Sequence, residues 1–298
     1  MDLLAIGEVM AEIRHEPTAG FRVGFAGDTF NTAVYCAREF GPLARIGYCT
    51  RVGCDPLSHA FLSAAKDEGI DVSQVGLDQE RNLGIYTVST DNTGEYSFHY
   101  WRSNSAARLL FASGESLASL PPAKVVYLSA ITLAILHPSA RRGLIAHLRD
   151  LRGRSACHVA FDSNYRPQLW ENAEIARQSV REMWEVADIA LPSVDDEIAL
   201  FGDPGEEAVF ARFAASDWRA CAIKRGALGP VSPRLARSAH PEFSPAPDVV
   251  DTTAAGDSFN GGYLAAFLHG EDEGRCLLAG HKIASRVVGA RGALIARS

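Results

Sequence analysis

The sequence predicts an α/β protein: a mostly parallel sheet covered by helices on both faces, with a small β-sheet standing off it. Three observations carry this. Short apolar runs alternate along the chain with amphipathic stretches of helical period. Those runs are almost purely apolar, as strands buried on both faces require. The alternation is interrupted twice in the first third of the chain by segments with strand composition and hairpin turn chemistry.

Taken in order, "LLAIG" is the first buried strand, ended by glycine. "AEIRHEPTAGFRVGFAG" follows it and is the first interruption. "DTFNTAVYCAREFG" reads as a helix, with Asp28 placed to cap it, Phe30, Ala33, Val34 and Ala37 along one stripe, and Gly41-Pro42 as its stop. "ARIGYCTRVG" is the second strand. Asp55-Pro56 supplies a cap and a first-turn proline for a helix running to Gly69. "NLGIYTVSTDNTGEYSFHYWRSN" is the second interruption, a hairpin turning at Asp91-Asn92-Thr93-Gly94. "VVYLSA", "HVAFDSN", "DIALPS" and "ACAIKRG" are four more buried strands, separated by helical stretches such as "PSARRGLIAHLRDL" and "VDDEIALFG". Ligands of such open sheets bind outside the carboxyl ends of the strands, so a β appendage over that edge would serve as a lid.

Composition narrows the function classes. The 298 residues are 47% hydrophobic and 22% charged, ordinary for a globular enzyme, and suit one large domain. The net charge of −7 argues against a nucleic-acid partner. No run approaches the length of a membrane span and the N-terminus has no basic, signal-like region, so a cytoplasmic protein that uses no membrane is expected. The six cysteines lack CxxC pairs and read as reduced core residues; the nine histidines show no HExxH or paired Cys/His spacing, so no metal ligand set is expected.

The stretch most suggestive of chemistry is "VVDTTAAGDSFNGGYLAAFL", Val249 to Leu268. In a parallel α/β fold, small residues before a helix make an anion site, because the first helical N–H groups have no internal partners and carry the positive end of the dipole. Ala254, Ala255 and Gly256 are small enough to let a phosphoryl group reach those amides. A carboxylate among such donors repels phosphate, so Asp257 is either a plain helix cap or a base that takes a proton from a hydroxyl nucleophile. The dipole is expected to hold its pKa down. Phe259, Tyr263 and Phe267, four apart, mark the buried face of the helix behind it. The chain has neither a Walker A sequence nor a dinucleotide glycine fingerprint.

"DTTAAGDSFNGGYLAAFL" closely resembles the C-terminal signature of the ribokinase-like (PfkB) carbohydrate kinases, whose core is D-T-x-[GA]-A-G-D. "AGDTFNTAVYCAREFG" resembles the same family's G-G-x-x-x-N signature, with Ala26 in place of the first glycine. "YWRSNSAA", "FDSNYRPQLW", "SVDDE" and "IKRGALG" extend the likeness over nearly the whole chain and are most similar to the family's 2-keto-3-deoxygluconate kinases. The resemblance implies a three-layer α/β/α ribokinase-like domain over residues 1–298, with lid segments at about 10–25 and 82–104, and transfer of the ATP γ-phosphoryl group to a sugar hydroxyl. In this reading Asp257 is the base and the 254–257 amides form the anion hole. Gly27, Asp28 and Asn31 grip the sugar. Tyr86, Tyr100 and Arg102 contact it from the lid, and Arg166 joins Arg102 as a second cation for a substrate carboxylate. Asn164, Ser193, Lys224, Gly226, Gly229, Gly256 and His281 fall on the nucleotide side, and Mg²⁺ arrives with ATP. Two prolines follow Gly229, and residues up to about 247 have little strand character, which departs from the family pattern. A homodimer or higher oligomer paired through the lid is implied. The competing readings are a fructose, ribose or nucleoside kinase of the same family and a non-catalytic sugar- or nucleotide-binding regulator on its fold.

Overall fold

In the computed structural model, which describes residues 1–16, 20–90, 96–112, 117–154 and 157–297, the apolar runs are strands of one parallel sheet. In chain order the elements are β1 (Leu3–Ile6), β2 (Met10–Glu16), β3 (Gly20–Ala26), α1 (Asp28–Phe40), β4 (Ile46–Gly53), α2 (Pro56–Asp67), β5 (Ile70–Asp71) and β6 (Val75–Asp78). Then come β7 (Gly84–Thr90), β8 (Tyr96–Trp101), β9 (Val125–Ser129), α3 (Ala130–Ile135), α4 (Pro138–Arg154), β10 (His158–Asp162), α5 (Ala173–Val186) and β11 (Ile189–Ala190). The last are α6 (Val194–Phe201), α7 (Glu206–Ala214), β12 (Ala220–Cys221), α8 (Ala255–Leu268) and α9 (Glu273–Val287). The main sheet runs β12-β11-β10-β9-β1-β4-β5, with β6 also on β4, and every pairing in it is parallel.

Strand alternation splits the apolar runs between two cores. Leu3 and Ala5 of β1, with Val125 and Tyr127 of β9, pack against Phe30 and Val34 of α1, Phe61 of α2, Tyr263 of α8 and Leu277 of α9. Leu4 and Ile6, with Val126 and Leu128, pack on the opposite face against Leu133, Leu144, Val180 and Phe213 of α3, α4, α5 and α7. This is why the runs are apolar at every position: both faces of each strand are covered. α1 is likewise buried along its whole first two turns rather than on one stripe, because it lies between the sheet and α8.

The two interruptions form one small sheet in the order β3-β2-β7-β8. β2 pairs antiparallel with β3 and parallel with β7, and β7 pairs antiparallel with β8, placing Tyr86 opposite Tyr100. The turn expected at 91–94 lies outside the described residues. One face of this sheet packs Met10, Ala26, Tyr86 and Val88 around Ala293. Phe21, at 72% exposure, and Trp101, at 61%, are left open to solvent.

Three local expectations are corrected. Asp28 does not cap α1; Gly27 holds the cap position and Asp28 is the first helical residue, its carboxylate turned to neighbouring strands' ends. The second helix stops at Asp67 with Glu68 as its cap, two residues short of Gly69. Five cysteines are buried as expected, but Cys54 is exposed. No helix of the described residues is long and apolar enough to cross a membrane.

Candidate active site

The functional side chains gather where the parallel strands end. Glu8 follows β1, Ser129 closes β9, Asp162 closes β10, Ser193 follows β11 and Lys224 follows β12. The start of α8 faces them. Ala254 takes a left-handed conformation at φ 59° as the cap residue, so the chain turns sharply into the helix. Asp257 is therefore a first-turn residue and not the cap. Its Oδ2 accepts from Asn31 Nδ2 at 2.8 Å, and its own carbonyl accepts from Thr32 Oγ1 at 3.1 Å. These two bonds lock α8 to α1 at the base of the cleft.

The anion loop differs in one respect from expectation. The N–H of Ala255 is taken by the carbonyl of Thr252 at 3.2 Å. The amides of Ala254, Gly256 and Asp257 have no partner among the described residues, which leaves them as the open donors. Beside them stands Lys224. A side-chain carbon placed on Gly256 would lie 3.7 Å from Lys224 Nζ, so the ammonium adjoins the loop. It donates to Asp162 Oδ2 at 2.6 Å and Asn260 Oδ1 at 3.2 Å. Asn260 Nδ2 in turn reaches the same Asp162 oxygen at 2.6 Å and Tyr127 OH at 3.1 Å. Asp162 is 2% exposed, so a buried acid holds the ammonium in place.

Electrostatics overturn the depressed acid expected at a helix start. Burial, and next the charge of Asp28, push Asp257 up to about 7; Asp162 adds to this, while Asn31 and Lys224 oppose it. The helix dipole is outweighed because the carboxylate is removed from water among other carboxylates. Burial also raises Asp28, whose Oδ2 accepts from Ser129 Oγ and from Asn164 Nδ2, the latter at 3.1 Å.

The residues read as sugar contacts form a second arc. The Tyr86 and Tyr100 rings lie 5.7 Å apart, centre to centre, and the Arg102 guanidinium is 5.9 Å from the Tyr100 ring. Charges of both Arg102 and Arg166 are felt at Tyr100, and that of Arg102 at Asp28. Each arginine already has an acid: Arg102 Nη2 donates to Glu8, and Arg166 Nη1 reaches Asp196 Oδ1 at 3.2 Å. Tyr86 OH donates to Glu12. Gly27 also makes room for main chain: a Cβ there would sit 2.2 Å from the Glu8 carbonyl.

Of the residues read as nucleotide contacts, Asn164 donates to Asp28 Oδ2. Ser193 caps α6 through Asp196 N at 3.2 Å and pairs with Lys224 across a β-bridge. Gly226 and Gly229 turn the chain with φ of 55° and 75°. Gly229 abuts Phe243, and His281 packs on that same ring and donates to the Ser244 carbonyl at 2.7 Å. These residues therefore frame the irregular 229–247 segment, which has no strand beyond the Ile223–Val231 bridge.

Sequence reading missed Glu8, Asp162, Asp196 and Asn260. The available signal was position: Glu8 and Asp162 are acids at the C-terminal ends of apolar runs, and Asn260 stands in a stretch, Phe259 to Leu268, of otherwise apolar and small residues.

A sequence profile of the pfkB family carbohydrate kinases matches residues 2–297. The chain is 40% identical to the 2-dehydro-3-deoxygluconokinase of Escherichia coli K12 over 99% of its own length and 97% of that protein's. It is 36% identical to the enzyme of that name from Dickeya dadantii, over 99% and 96%. Among solved structures it resembles aminoimidazole riboside kinase from Salmonella enterica complexed with aminoimidazole riboside and an ATP analog, at TM-score 0.78 and 25% identity, over 98% of this chain and 95% of that one.

Proposed function

The chain belongs to the pfkB family of carbohydrate kinases, and on that premise we propose that it transfers the γ-phosphoryl group of ATP to the 6-hydroxyl of 2-keto-3-deoxygluconate (2-dehydro-3-deoxygluconate). The observation that carries the reaction type is the start of α8: an acid raised to about 7 beside open amides and a fixed ammonium. The proton of the sugar hydroxyl passes to Asp257 as the oxygen attacks, and the Gly256 and Asp257 amides with Lys224 stabilise charge on the moving phosphoryl group. Asn31 orients the base.

The substrate class rests on the two arginines around Tyr100, since a neutral sugar needs no cation and guanidinium pairs with carboxylate bidentately. Asp28, Asn164 and Tyr86 supply partners for the sugar hydroxyls. ATP lies toward Ser193, Gly226, Gly229 and His281. Mg²⁺ arrives with the nucleotide, held mainly by phosphate and water, which needs no dedicated protein ligand set. The small sheet acts as a lid over the sugar, and its open apolar face pairs with that of a second copy.

The test is a ligand panel: ATP turnover with 2-keto-3-deoxy acids, fructose, ribose and a nucleoside. The acid is expected to lead. A neutral sugar in first place would favour the fructose, ribose or nucleoside kinase reading.

A further inference from the structure

We infer that Glu8 is a positioning residue for substrate selection: it fixes the Arg102 guanidinium that receives the substrate carboxylate. The inference rests on the sugar-acid reading above. Glu8 is only 1% exposed, and a charge so placed costs free energy unless it is paired and hydrogen bonded. One of its oxygens accepts from Arg102 Nη2 and the other from Ser105 Oγ. The fold makes space for this carboxylate: a side-chain carbon at Gly84 would sit 3.1 Å from Glu8 Oε1 and 3.3 Å from Arg102 Cβ. The main chain of Glu8 is also pressed against Gly27, at the entry to the sugar-gripping helix.

The consequence is directional. Arg102 sits just beyond the end of β8, where a long side chain on a small sheet would otherwise sample many rotamers. Glu8 stands just after β1, the central strand of the main sheet. Their bond ties the second sheet's cation to the main domain and holds one end of the guanidinium, while Nη1 has no partner among the described residues and Nε is buried without one. An arginine held at Nη2 keeps donors for a second carboxylate and loses less side-chain freedom when the substrate arrives.

The test is equilibrium binding of 2-keto-3-deoxygluconate and of a non-hydrolysable ATP analogue, measured separately by calorimetry on wild type, Glu8→Gln, Arg102→Ala and the double variant. Glu8→Gln should weaken acid binding by about tenfold, the size of one charge-assisted bond, and leave analogue binding within about twofold. Because Glu8 acts through Arg102, the double variant should bind the acid no worse than Arg102→Ala alone. Equal losses for both ligands would assign Glu8 a purely structural role. Tighter acid binding by Glu8→Gln would show that it competes with the substrate. Additive losses would show that it does not act through Arg102. Each overturns the inference. Should Glu8→Gln not fold, Ser105→Ala removes one of the two bonds on the same carboxylate and should give a smaller loss confined to the acid; unchanged acid binding in that variant overturns the inference as well. Arg102→Ala with wild-type acid binding overturns instead the underlying assignment of Arg102 to the carboxylate.

Discussion

At the residue scale, Asp257 carries the proposed proton transfer. Its carboxyl must be ionised to accept a proton, and burial beside Asp28 holds its pKa near 7. Turnover should therefore fall as pH drops below about 7, which a pH profile of kcat/KM checks directly. A flat profile down to about pH 5 would contradict the raised value. Asp257→Asn should lower kcat by about 10²–10⁴-fold, the range of a lost general base, with ATP affinity little changed. The same variant should be more stable than wild type at about pH 8. A carboxyl whose folded pKa is raised stabilises the fold at acid pH, and that contribution is lost as pH rises through the raised value. Above it, wild type carries a charge among carboxylates that the amide does not, so thermal denaturation of the two proteins at acid and alkaline pH should show the gain only at the alkaline end. The sequence revealed Asp257 because it stands among small residues, where an acid needs a reason. It did not reveal the direction of the pKa shift, since Asp28 and Asp162 are remote in the chain and meet Asp257 only in the folded cleft.

At the element scale, α8 carries both the proposed anion loop and the proposed base, and its placement depends on close packing against two helices. A Cβ on Gly261 would come within 2.6 Å of Tyr35 Cβ and 2.9 Å of the Cys36 nitrogen in α1, and one on Gly262 would come within 2.8 Å of the Ala279 carbonyl in α9. Backbone cannot give way there as a flexible side chain could. Gly261→Ala should destabilise the protein by about 1–3 kcal/mol, the usual cost of overpacking, and lower kcat by moving Asp257 away from Asn31. Denaturant unfolding checks the first effect; an unchanged midpoint would mean α8 has room to move. The small sheet is the second element with a role. Phe21, Val23 and Trp101 are exposed together on one of its faces, as side chains of an interaction surface are. If it pairs with a second copy, Trp101→Glu should shift sedimentation at assay concentration toward the monomer, while a wild type that is already monomeric would dismiss the pairing.

For the whole molecule, the alternation of apolar runs and helices was enough to give the parallel sheet, because strands buried on both faces have a distinctive composition. The likeness of "DTTAAGDSFNGG" and "AGDTFNTAV" to kinase signatures identified the two helix starts that meet in the cleft. What sequence could not give was the wiring between distant strand ends: Asp162 holding Lys224, Glu8 holding Arg102, and Asp28 facing Asn164. These are contacts between residues 62 to 136 positions apart, set by topology rather than by local pattern. β5 and β6, two and four residues long, were beyond periodicity because too few residues carry it, whereas the two-residue β11 and β12 stood out as the apolar runs "DIALPS" and "ACAIKRG". The central claim is that this molecule is a kinase whose site selects an acid through Arg102 and Arg166. Its most direct test is kcat/KM for 2-keto-3-deoxygluconate and for fructose in wild type, Arg102→Ala and Arg166→Ala. The account predicts that wild type prefers the acid and that each variant loses about 10- to 100-fold on the acid, the equivalent of one charge-assisted bond, with far smaller change on fructose. Equal losses on both substrates, or a wild type that prefers fructose, would contradict it.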